Sequence, residues 1–322
     1  MDVKKSMGED SGKIVESVQN ELSRVIVGYE DKILDLMICL VADGHVLIEG
    51  VPGIAKTTLS KSFAQALHLT YNRIQFTQDL LPADITGHNY YNQESRKFEL
   101  RKGPIFAEVL LADEINRASP KTQSALLEAM QEKQVTIEGL TLKLSEDFLV
   151  IATLNPIETE GVYPLPEAQL DRFMMKSIMT YLPKEREMDV LSLKSRVPQN
   201  INAVLTREHI EGLRNKLETV YVDKSIMEYI SEITKRTRES ELIELGASPR
   251  AAIHLQQTAR ALAMFDGRDY VIPDDVKAMA HKVMNHRLIL SIDADIEGHT
   301  LPGVVQNILD SVEVPKSISP QP

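Results

Sequence analysis

The sequence predicts an α/β core built on a parallel sheet, followed by a helical domain, and three observations lead there. In the first half, four short apolar runs (residues 45–49, 73–77, 108–112 and 148–153) alternate with helical stretches. Such runs suit strands covered on both faces, the arrangement of a parallel sheet packed between helices. A glycine-containing loop, residues 50–58, leaves the first run and enters an apolar helix. Past Pro183 the strand-like runs stop and helical periodicity takes over.

Before the first strand, Ile14, Val18 and Leu22, then Ile33, Leu36, Met37 and Leu40, recur at helical spacing with a break at Val27-Gly28, so two helices joined by a turn are expected. Two stretches interrupt the strand-helix alternation. Residues 87–100 and residues 134–144, the latter turning at Glu138-Gly139, each read as a β-hairpin inserted on the core. Insertions on a rigid scaffold are natural contact surfaces. Five helical segments follow, at residues 184–195, 207–220, 224–239, 249–265 and 273–287. Ser248-Pro249 and Ile272-Pro273 mark helix starts, because proline is tolerated in a first turn. The division expected is residues 1–183 for the α/β domain, 184–312 for the helical domain and 313–322 for a Pro- and Ser-bearing tail without fixed structure.

The chain has 322 residues, 43% of them hydrophobic, and a formal net charge of -11. That charge counts against a dedicated nucleic-acid binder, which neutralises phosphates with a basic surface. The single cysteine, Cys39, excludes an internal disulfide and multi-cysteine zinc sites, and reads as a small buried hydrophobe. The N-terminus has no apolar core of signal-peptide length, and no apolar run reaches the roughly 18–20 residues of a membrane span. A cytoplasmic protein without membrane insertion is expected.

The loop Gly50-Val51-Pro52-Gly53-Ile54-Ala55-Lys56-Thr57-Thr58 has the setting of a phosphate-binding loop. Gly50 and Gly53 permit a tight turn with amides aimed at phosphates, and the following helix adds its positive dipole end. Lys56 would reach the β- and γ-phosphates of ATP, and the Thr57 hydroxyl would ligate Mg²⁺. Ala55 stands where the strict pattern has glycine, which is harmless if that position is helical and obstructive if it needs positive φ. The run Val109-Leu110-Leu111-Ala112 ends in Asp113 and Glu114. Asp113 suits the Mg²⁺ shell, and Glu114 suits a general base acting on water. Asn155, after the fourth run, either orients that water or caps its loop. Arg172 and Arg250 could each be offered to a γ-phosphate, or each form a surface ion pair.

The chain resembles the AAA+ ATPases, and among them the MoxR family. The resemblance rests on the loop at residues 50–57 and on Leu-Ala-Asp-Glu-Ile-Asn-Arg-Ala (111–118), Leu-Leu-Glu-Ala-Met (126–130), Ala-Thr-Leu-Asn-Pro (152–156), Leu-Pro-Glu-Ala-Gln-Leu-Asp-Arg-Phe (165–173) and Gly-Ala-Ser-Pro-Arg-Ala (246–251). Leu154 departs from it, since glutamine is common there, whereas the Ala-Lys-Thr ending of the loop is usual. The resemblance implies that Lys56 and Thr57 belong to Walker A, Asp113 and Glu114 to Walker B, that Asn155 is sensor 1, and that Arg250 is sensor 2, reaching ATP from the lid. It also implies that Arg172 acts on the neighbouring subunit's ATP, with Arg117 as its rival, and that Val27 and Gly28 border the adenine. Residues 87–100 would be the helix-2 insert and 134–144 the hairpin before sensor 1. A hexameric ring, chaperone-like remodelling of client proteins and a partner with a von Willebrand factor A domain are further implications of family alone. Three alternatives remain beside this reading: a DNA-directed motor, a nucleotide-gated switch with little turnover, and a phosphotransferase.

Overall fold

The computed structural model describes residues 11–157, 161–194 and 200–315. The N-terminal residues before Ser11 and the predicted tail beyond residue 315 lie outside that description. Two helices open the chain, α1 (Ser11–Leu22) and α2 (Glu30–Val41). The turn between them carries Gly28 at φ 81, where a side chain would also meet Leu182.

The core alternates β1 (Val46–Gly50), α3 (Lys56–Ala66), β2 (Tyr71–Gln75) and α4 (Pro82–Thr86), then the hairpin β3 (Gly87–Asn92) and β4 (Lys97–Lys102). It continues with β5 (Val109–Asp113), a short 3-10 turn at Ile115–Arg117, α5 (Pro120–Glu132), the hairpin β6 (Gln134–Ile137) and β7 (Leu140–Lys143), β8 (Leu149–Leu154), α6 (Glu167–Leu170) and β9 (Met175–Met179). Five of these strands form one parallel sheet in the order β2-β5-β8-β1-β9. Both faces are covered, as the apolar runs require. Val46, Ile48, Val109, Leu111, Leu149 and Ile151 point into one core, while Leu47, Leu110, Ala112, Val150 and Ala152 point into the other.

Strand β9 escaped the sequence reading. Met-Lys-Ser-Ile-Met is an edge strand with exposed Ile178 and a charge at Lys176, so it lacks the continuous apolar run of its neighbours. Both hairpins form where expected. Glu138 (φ 47) and Gly139 (φ 86) make the two-residue turn of positive φ that matches strand twist. The hairpins touch through Asn89, whose Nδ2 donates to Glu138 Oε2 at 2.7 Å. Tyr91 and Phe98 pack edge to face across the first, and Phe98 is 73% exposed.

The second half comprises α7 (Lys184–Lys194), α8 (Arg207–Thr219), α9 (Lys224–Glu239), α10 (Pro249–Phe265), α11 (Pro273–Met284), α12 (Ile292–Ile296) and α13 (Leu301–Ser311). Three features go beyond the helical segments read from sequence, the short α12 being one of them. A small antiparallel ladder pairs β10 (Ile243–Leu245) with β11 (Ile289–Leu290), strands too short to show a period. Helix α13 starts at Leu301 under a Thr300 cap, with Pro302 in its first turn, and buries Val304, Val305, Ile308 and Leu309, but Gly298 and Gly303 disguise it as loop. Glu313, Val314 and Pro315 lie beside Tyr229 and Arg236 of α9. Helices α8, α9, α10, α11 and α13 share one hydrophobic core with α1, α2 and α3, and Lys282 Nζ reaches the buried Asp35 at 2.5 Å. Cys39 is buried in α2.

Candidate functional site

Because all five strands run parallel, their C-terminal ends share one edge, where ligands bind in open α/β sheets. Here β1 delivers the 50–58 loop, β5 delivers Asp113 and Glu114, and β8, between them, delivers Asn155. Sheet order thus brings the predicted lysine, acid pair and amide together.

The loop glycines serve different ends. At Gly50 a Cβ would lie 2.7 Å from the Met179 carbonyl oxygen, so this glycine permits strand-to-strand approach. Gly53, at φ 86, supplies the turn and faces open space. Position 55 takes the less favourable of its two cases. Ala55 lies at φ 68, ψ 22 as the first turn of α3 begins. An alanine, with only a methyl group, reaches this left-handed region at a strain of about 1–2 kcal/mol. Ala55→Gly is therefore expected to raise stability by about 1 kcal/mol at most, after allowing for glycine's freer unfolded chain. Chemical denaturation measures it, and a loss of stability would contradict the strained geometry.

Lys56 is buried, and its Nζ donates to the Gly50 carbonyl at 2.6 Å, holding the ammonium inside the loop. Thr57 follows in the first turn of α3. Asp113 is buried. Its Oδ1 accepts from Thr153 Oγ1 at 2.6 Å, and its Oδ2 accepts from Arg73 Nε and Nη2 at 3.1 and 2.8 Å. Glu114 turns out of the strand at φ 56, its amide donating to Thr153 Oγ1 at 2.8 Å. Its Oε2 accepts from Gln75 Nε2 at 2.7 Å and Arg117 Nη1 at 3.0 Å. Arg117 thus sits beside its own subunit's Glu114. Asn155 is buried, and its Oδ1 caps the loop by accepting from the Ile157 amide at 3.2 Å. That bond uses the oxygen, so the capping and the orienting roles of Asn155 are compatible.

Three participants were missed from sequence: Gln75, Arg73 and Thr153. Each is a polar residue within a strand, a signal that means little until neighbouring strands are known. Thr153 holds Asp113 and the Glu114 backbone at once.

A cavity of about 360 Å³ adjoins the loop, lined by Val27, Gly53, Ile54, Ala55 and Thr58 and closed by Leu182 and Leu191. It is apolar and of a size for a purine ring. Mg-ATP fits what is present: a glycine cradle, a buried ammonium, a threonine hydroxyl and a single buried carboxylate. Mg²⁺ prefers such sparse protein ligation, with phosphate and water completing its shell.

Arg172 and Arg250 lie elsewhere. Arg172 precedes β9, and with Asp43, His45, Met130, Arg250 and His254 it lines a cavity of about 150 Å³. Gly44 and His45 precede β1, and Met174 N donates to His45 O at 2.8 Å, so this cavity borders the N-terminal edge of the sheet. A strand of five residues spans about 16 Å. Within one subunit Arg250 thus stands across the sheet from the phosphate loop. Its Nη1 stands 3.7 Å from Asp171 Oδ2, beside Arg172, because the lid packs on the α1–α2 side and contacts β9.

Two histidines, His45 and His286, are buried at this lower edge, and a third, His254, is half-buried there. Burial holds His45 down at about 4 and His254 at about 3, the latter also opposed by Arg287, and burial with Arg287 holds His286 well below its usual value. A depressed base favours folding while neutral. The contribution is full above about pH 6.5 and is lost as the pH falls toward 4, at about 1.4 kcal/mol per pH unit for a fully buried histidine. Melting temperature should therefore drop steeply between pH 6.5 and 4.5. A flat profile over that range would contradict the neutral assignment.

Residues 45–175 match the family model described as "ATPase family associated with various cellular activities (AAA)", and residues 235–308 match an AAA lid domain. The chain is 45% identical over 309 residues to the protein YeaC of Bacillus subtilis, covering 95% of this chain and 97% of that one. It is 41% identical over 305 residues to chaperone MoxR1 of Mycobacterium tuberculosis, covering 92% and 81%. A crystal structure of a candidate ATPase from Cytophaga hutchinsonii superposes with a TM-score of 0.89 at 44% identity, covering 95% of this chain and 96% of that one. Among the described residues no helix is long and apolar enough to cross a membrane.

Proposed function

The chain belongs to the MoxR family of AAA+ ATPases, and from that premise we propose that it hydrolyses Mg-ATP in a ring of identical subunits to remodel other proteins. The observation that carries the ring is the separation of Arg172 and Arg250 from Lys56. In one subunit the phosphate loop and the two arginines border opposite edges of the same sheet. The arginines complete a site only if a neighbour's lower edge meets this subunit's upper edge.

On this reading the adenine occupies the cavity beside Val27 and Gly28, and the amides of residues 51–57 and the Lys56 ammonium bind the phosphates. Thr57 and Asp113 would hold Mg²⁺, which when bound neutralises charge on the β- and γ-oxygens. Thr153 and Arg73 fix the Asp113 carboxylate for that task. Glu114 accepts a proton from the attacking water, and the Asn155 amide orients that water. Gln75 and Arg117 hold Glu114 when no substrate claims it. Arg172 then neutralises the γ-phosphate of the adjoining subunit. The hairpins β3–β4 and β6–β7, with exposed Tyr90, Tyr91, Phe98 and Leu140, are the surfaces offered to a client. A hexamer, a von Willebrand factor A domain partner and cytoplasmic residence complete the proposal.

The test is ATP turnover per subunit across a dilution series, with sedimentation on the same samples. Turnover should rise with the fraction assembled. A rate per subunit that stays constant down to the monomer would sink the shared-site reading.

A further inference from the structure

The lid grips the turn that carries Arg172, and one buried residue does most of the gripping. Arg287, just after α11, is 1% exposed. Its Nε donates to Asp171 Oδ1 at 2.8 Å, and its Nη2 donates to the carbonyls of Asp171 and Phe173 at 3.1 and 2.5 Å. Its Nη1 donates to Met174 O at 3.3 Å and to Val283 O in its own helix. The carbonyls it holds lie on both sides of Arg172, so one planar fork sets the backbone direction of that residue. Two more groups of the second half join it. Ser248 Oγ donates to Asp171 Oδ1 at 2.8 Å, and His286 Nε2 donates to Phe173 O at 3.0 Å.

An arginine is suited to this task because its guanidinium presents five donors in a fixed plane, whereas a lysine presents a single rotatable ammonium. Burial lowers Arg287 only to about 10, so it is a cation at neutral pH. Arg172 itself has one further restraint, its Nη1 donating to Leu127 O at 2.7 Å. That bond places the guanidinium against α5, while the point from which the side chain starts is set by the backbone at residues 171–174. That backbone is held by the lid.

We propose that Arg287 is a positioning residue through which the lid aims Arg172 at the neighbouring subunit, so that lid orientation in one subunit sets hydrolysis in the next. The proposal rests on Arg172 acting in trans. It adds a lid residue to the reaction and gives it a direction, since the subunit that carries Arg287 does not hydrolyse the affected ATP.

The test uses Arg287→Lys, which keeps the charge opposite Asp171 but loses the fork, and Asp171→Asn, which keeps the volume but loses the charge. Each full-length variant is measured for ATP affinity, turnover and melting, alone and mixed with Glu114→Gln subunits, whose lid and Arg172 are intact. We expect unchanged affinity, kcat at least about tenfold lower, and turnover of the mixture several-fold above the sum of its parts. Wild-type kcat in Arg287→Lys, or a deficit that mixing does not repair, would overturn the proposal. So would failure of both variants to fold, which would make the pair purely structural. Arg172→Ala run in parallel separates the two ideas. If it turns over at the wild-type rate, the trans reading fails; if it is slow and repaired by mixing while Arg287→Lys is unaffected, only the positioning role fails.

Discussion

Arg172→Ala is expected to lower kcat for ATP hydrolysis by about 10³-fold or more, the scale associated with an arginine supplied to phosphoryl transfer, and to leave ATP affinity unchanged. Both halves follow from where the residue sits. Arg172 borders the lower edge of its own sheet, beside His45 and Arg250, so its own subunit's nucleotide loses no contact. On the proposed shared site, what would be lost is a charge that neutralises the γ-phosphate of the adjoining subunit as the bond breaks. Steady-state turnover and calorimetric affinity on the same preparation check it. A weakened affinity at normal kcat would place Arg172 in nucleotide binding instead. Arg117→Ala provides the contrast, because Arg117 donates to its own Glu114.

Glu114→Gln is the second large effect, a fall in kcat of about 10²–10⁴-fold, the usual contribution of a general base. Glutamine has the shape of glutamate but cannot take a proton from water. Glu114 meets Gln75 and Arg117 through Oε2, and its backbone amide is held by Thr153, so the loop should keep its path. ATP should bind normally and persist, so this variant should also retain any client or partner that the ATP-bound state holds. Single-turnover measurements decide the matter, and a burst of phosphate at the wild-type rate would remove Glu114 from the chemistry.

Much of this was legible in the residues alone where the signal was local. The 50–58 loop announces itself by composition and by its place between a strand and a helix. The acid pair does so by ending an apolar run. Helices α9 and α10 matched their predicted bounds because apolar spacing and the Asp223 and Ser248 caps agree. Legibility failed where meaning depends on neighbours. Strand β9 hid behind Lys176, at the edge of the sheet, and Ser177, which is buried against Asp35, and Gln75 gained significance only beside Asp113 in the sheet register.

The sequence by itself determined the chemistry: which side chains can hold phosphate and magnesium and which can take a proton. Composition and short-range spacing encode that information, and folding does not alter the groups. Only the tertiary structure decided who stands with whom. Inserting β8 between β1 and β5 brought Asn155 and Thr153 to Lys56 and Asp113, while the same parallel sheet left Arg172 at the opposite edge, where lid packing brings Arg250. The physical reason is that strand order and direction are set by burial of both sheet faces against helices distant in the chain, a balance no local window contains.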